Sequence, residues 1–156
     1  MSAVSQIAES LHWLAVTVWI GALWTIGLLV APTLFQFVPD RVLFGSLMAR
    51  LFTYTALLGI GCGAYLLLFR LVRFGNHCLR QAFFWVTLAM LVLTLVGQFG
   101  VHPILDALRQ QAFPKQVAET LLRDRFAAWH GVASVLYVVQ CALGLALVLL
   151  QPRAPT

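Results

Sequence analysis

The stretch from Ser10 to Pro32, SLHWLAVTVWIGALWTIGLLVAP, constrains this chain more than any other. It runs for roughly twenty residues without a formal charge, enough at 1.5 Å per helical residue to cross a hydrocarbon core about 30 Å thick. Only a helix or a closed barrel satisfies its own backbone inside lipid, so the segment predicts a membrane-spanning helix. Applied along the chain, the same criterion predicts four spans, near residues 11–31, 51–69, 81–101 and 126–150. The expected architecture is an all-α integral membrane four-helix bundle, one transmembrane domain over residues 1–156. Short amphipathic interfacial helices are expected between spans one and two and between spans three and four.

Composition agrees with that reading. The chain is 62% hydrophobic and 10% charged, against roughly 25% charged in soluble domains, so it cannot cover itself in water. The net charge of +5 is scattered between the apolar spans and forms no basic run interleaved with aromatics, which argues against nucleic acid as a partner. Cys62, Cys78 and Cys141 have no C-x-x-C spacing and signal neither a disulfide framework nor a zinc site. The opening MSAVSQIAES lacks Lys and Arg, and bulky Leu34 and Phe35 follow Pro32 where a cleavage site would need small residues. The first span is therefore expected to be retained.

Local signals set the connections. Pro32 is expected to end or kink span one, and His102 with Pro103 to end span three. Residues 33–50 are amphipathic, Asp40 is a good N-cap, and Leu43, Leu47 and Leu51 make a helical stripe, so this segment predicts an interfacial helix or a long extension of span two. RLVRFGNHCLR, residues 70–80, reads as a helix hairpin turning at Gly75 and Asn76. Residues 103–125 predict two surface helices split at Pro114. Gly59 and Gly63 form a G-x-x-x-G pair that lets another helix approach, and Gly21 is a further candidate packing position.

Four spans put both termini on one side. Arginines and lysines divide ambiguously between the two faces; the short, dense arginine hairpin favours cytoplasmic termini in the inner membrane. His12 and His77 then fall on the terminal face and His102 and His130 on the opposite one. About 27 Å of helix separates His12 from the second pair. Histidine is the side chain here suited to proton traffic or metal ligation near neutrality. His102 and His130 could clamp a haem iron or a metal between neighbouring helices, and His130, flanked by Trp129 and Gly131, leaves room for a flat ligand. The commoner role of an interfacial histidine is a hydrogen bond to backbone or headgroup. Gln98 and Gln140 read as interhelical hydrogen-bond partners. The predicted spans hold no Asp, Glu, Lys or Arg, which counts against an ion pump. Phosphate-loop, serine-hydrolase and zinc-protease motifs are absent.

His12, Trp19 and Gly21, then Pro32, Leu34 and Phe35, the glycine-rich second span, Pro103, and Phe126 with His130 together resemble the transmembrane protein 205-like family. That resemblance implies a four-span bacterial inner-membrane protein of unknown function. The spacing of His12, Trp19 and Gly21 is more distantly similar to the first span of copper-resistance D proteins and of haem-containing membrane protoporphyrinogen oxidases. The expected function is a non-enzymatic accessory or transport-associated bundle in the lipid bilayer, joining itself or a larger membrane complex through small-residue faces. Two alternatives stand beside it. One is a haem b or copper protein using His130, His102 or His12 for electron transfer or porphyrin oxidation; the other is a small-solute or metal permease.

Overall fold

A computed structural model describes residues 3–112 and 119–151, and the side-chain surroundings of residues 6–40, 42–108 and 124–151. Apart from residues 38–40, 81 and 150–151 the described chain is helical, with α1 (Ala3–Thr25), α2 (Ala31–Phe37), α3 (Arg41–Phe74), α4 (Ala82–Leu95), α5 (His102–Ala112) and α6 (Glu119–Leu149). Four helical stretches are long and apolar enough to cross a membrane, Gln6–Phe37, Val42–Arg80, Ala82–Leu108 and Asp124–Leu149. The protein is an all-α membrane helical bundle.

Each expected span is present, and each odd-numbered one is longer than its proline suggested. Neither Pro32 nor Pro103 stops its helix. A proline has no amide hydrogen and its ring collides with the carbonyl four residues back, which here belongs to Leu28 or to Phe99. The chain answers with a wider turn before each proline. Ile26–Val30 and Val96–Val101 are π-helical, Ala31 N–H donating to Ile26 O and His102 N–H to Gly97 O, five residues back. Spans one and three therefore share one plan: a straight apolar helix, a π turn, and a short helix carrying the proline.

The amphipathic connections are consequently continuous with the spans rather than free-standing interfacial helices. α2 prolongs span one, and residues 41–50 form the first turns of α3, whose 34 residues reach about 51 Å. Asp40 caps α3 as expected, its carboxylate accepting from Val42 N–H at 2.8 Å and Leu43 N–H at 3.3 Å. α3 ends at Gly75, whose φ of +51° is open to glycine. A 3-10 turn, Gly75–Arg80, completes the hairpin. α5 prolongs span three. The expected split at Pro114 lies outside the described residues, while the backbone from Glu119 is continuous with span four.

The core gathers Val16, Trp19, Ile20 and Leu23 of α1, Leu66 of α3, Phe83 and Met90 of α4 and Leu147 of α6. Trp19 is its centre. A Cβ added to Gly59 would lie 2.4 Å from Trp19 Nε1, and one added to Gly63 3.0 Å from its ring. The glycine pair thus admits an indole from the neighbouring helix α1. At Gly21 a Cβ would meet nothing within 4 Å. Because lipid is as apolar as the helices, dispersion contacts and hydrogen bonds decide this packing. Gln140, buried on α6, supplies two, donating to Met90 O at 3.0 Å and Thr94 Oγ1 at 2.6 Å. Tyr65 O–H ties α3 to α1 through Ala8 O at 3.0 Å.

Candidate functional site

A cavity of about 1620 Å³ lies beside the two π turns. All four spans line it. Trp19 and Leu23 of α1 and Gln140 of α6 bound its deep part, while Gly27 and Gly97, one from each π turn, lie on its walls. Tyr137 fixes the first turn in place. Its hydroxyl donates to Leu23 O at 2.6 Å, and its ring meets Phe52 edge-on at 5.8 Å. Only glycine fits opposite it, because a Cβ on Gly27 would come within 1.8 Å of the Tyr137 hydroxyl.

Polar groups collect at the end of the cavity away from the termini. His102 and His130 both line it, together with Asp106, Arg50 and Ser134. His102 Nε2 lies 3.3 Å from Ala49 O, and Nδ1 lies 3.2 Å from an Asp106 carboxylate oxygen one turn later on α5. Both ring nitrogens therefore already face oxygens. His130 is exposed and stacks on Phe126, with ring centres 6.0 Å apart and planes 11° from parallel. Gln98 and Gln140 both line the cavity, and Gln140 is in addition hydrogen-bonded from α6 to Met90 and Thr94 of α4. Among the described residues no three His, Cys, Asp or Glu side chains gather in a metal-holding group.

His12 occupies the other end. It is 5% exposed and lies beside Phe69 at 5.1 Å and Phe83 at 5.4 Å between ring centres. It lines no part of the cavity that His102 and His130 share. His77 is exposed in the 3-10 turn.

The sequence reading counted Arg70 in the hairpin of residues 70–80, just past span two; the structure places it on the helix that carries that span. Arg70 lies within α3 at 6% exposure, donating from Nη1 to Gln81 Oε1 at 2.5 Å. Its guanidinium carbon stands 4.1 Å from the centre of the Phe83 ring. The signal was present as spacing: Gly59, Gly63, Leu66 and Arg70 follow one another at helical steps of four, three and four, and all are buried.

Comparison with known proteins is sparse. No curated protein and no solved structure matches the chain. A family model described as a domain of unknown function, DUF4149, matches residues 14–114, a range that holds both π turns, Arg70 and His102 and leaves His12, His130 and Gln140 outside. With well over half its length matched, the chain belongs to the DUF4149 family of domains of unknown function.

Proposed function

We propose that this protein is a non-enzymatic accessory or transport-associated bundle of the bacterial inner membrane, of the transmembrane protein 205-like kind, with its termini in the cytoplasm. Its cavity receives an amphipathic, lipid-like molecule. The observation that carries this reading is the cavity itself. At about 1620 Å³ it exceeds the roughly 300–1,000 Å³ of ordinary small-molecule sites. It grades from Trp19 and Leu23 at depth to Arg50, His102 and Asp106 at one end, so an apolar body and a polar head each find a matching environment.

The test is retention of an environment-sensitive apolar dye by the full chain in nanodiscs, with mass spectrometry of compounds that copurify. Gly97→Leu fills the cavity wall at a position where an added Cβ meets nothing within 4 Å. It is expected to lower dye retention while leaving the unfolding temperature within a few degrees. Retention equal to that of protein-free nanodiscs would end this reading.

A second reading rests on His102 and His130 lining one cavity. Imidazoles there suit haem b or copper, and His12 is the remaining candidate at the opposite end. A ligand role for His102 would require it to release Ala49 O or Asp106. A Soret band or bound copper lost in His130→Ala would favour this reading over the first. Solute uptake into proteoliposomes above that of empty vesicles would favour a permease instead.

A further inference from the structure

The terminal end of the bundle holds a cation with no ion-pair partner among the described residues. Arg70 is 6% exposed, yet among the described residues no carboxylate lies within ion-pairing distance of it. Its Nη1 is spent on the neutral amide of Gln81. Its carbon sits over Phe83 at 4.1 Å and Phe74 at 5.4 Å, cation–π contacts that answer part of the charge. Its Nε is buried with no hydrogen-bond partner among the described residues. Removing a guanidinium from water and leaving a donor unmade is among the costlier arrangements a fold can hold.

A second orphan lies against the same ring. His12, 5% exposed, packs on Phe83 from α1, and its Nδ1 is also buried without a partner among the described residues. Two unspent polar atoms from two helices thus flank one aromatic wall. The chemistry selects an oxyanion. With Nη1 committed to Gln81, the free Nε belongs to the side edge of the guanidinium, the edge that pairs with two oxygens of a phosphate. His12 adds a donor in the tautomer that carries its proton on Nδ1. Position selects the source. Arg70 lies one turn before α3 ends, and Arg73, His77 and Arg80 are exposed on the same face, so anionic headgroups are drawn to that rim.

We propose that Arg70 and His12 form a binding site for the phosphate of an anionic phospholipid, entered from the terminal face. This site lies at the opposite end of the bundle from the cavity and stands independently of what the cavity holds.

The full chain in uncharged detergent, followed by thermal unfolding through its tryptophans and by native mass spectrometry, tests the site. The probes are phosphatidylglycerol, phosphatidylcholine of the same chain length, and inorganic phosphate. Phosphatidylglycerol is expected to bind roughly tenfold or more tightly than phosphatidylcholine. Arg70→Gln is expected to lose that preference and Arg73→Gln to retain it. Should Arg70→Gln fail to fold, Arg70→Lys keeps the charge without the Nε edge and is expected to weaken the preference. Stabilisation by inorganic phosphate alone, abolished in the Arg70 variant, would replace the lipid by a free ion. Equal binding of the two lipids by the wild type, or an undiminished preference in the Arg70 variants, overturns the site.

Discussion

The two ends of this bundle are built from the same four helices and behave oppositely. Around Trp19 and towards the termini, indole, glycine and phenylalanine close against one another, and even Arg70 is buried. Beyond Leu23 the helices part around a cavity whose walls include both π turns. Hydropathy does not separate the ends, since both lie within spans of similar apolar character. The difference lies in the backbone. Pro32 and Pro103 each remove one hydrogen bond and widen the preceding turn, and they do so at the same end because spans one and three run in the same direction. In lipid, where burial itself drives little association, such a change in helix path is enough to open or close an interior.

The most severe way to break the comparison is to remove the plug of the closed end. Trp19→Ala leaves a void against Gly59 and Gly63 and is expected to cost about 3–5 kcal/mol by analogy with buried aromatic truncations, read as a lowered unfolding midpoint in detergent. Survival with an unchanged midpoint would mean that the closed end is not held by this indole.

A smaller effect of opposite sign is expected from Pro103→Ala. Restoring the amide lets residue 103 bond to Phe99 O, so the π turn contracts, stability rises by about 1–3 kcal/mol and dye retention falls. A π turn that persists in the structure of this variant would remove the proline from the explanation.

Two glycines complete the series, the second with the smallest effect. Gly27→Ala forces Tyr137 away from Leu23 O and is expected to cost about 1–3 kcal/mol. Gly61→Ala, whose Cβ would meet nothing within 4 Å, should stay within about 0.5 kcal/mol. Equal unfolding midpoints for the pair would show that the Gly27–Tyr137 fit does not hold the cavity's shape.

Particular residues show how far the sequence reached. Asp40 was legible as a cap because the bond it makes is local, two and three residues away. The prolines were legible as disturbances but not as π turns, since a proline can end, kink or widen a helix and only the surrounding packing selects among these. Gly59 and Gly63 announced close approach without naming the Trp19 ring that fills it. Arg70 was read with the hairpin because three arginines stand within eleven residues, although its register with Gly59, Gly63 and Leu66 pointed inward. Of the candidate histidines, the sequence separated His12 from His102 and His130 by topology alone; that the latter two line one cavity required the helices in place.

By itself the sequence determined that four helices cross a bilayer, because uncharged length against a fixed hydrocarbon thickness is a one-dimensional constraint that can be counted along the chain. Only the tertiary structure decided which faces turn inward. Helices that are apolar nearly all round carry no stripe to orient them, so the rotation that buries Arg70 at one end and opens the cavity at the other is settled by contacts between helices.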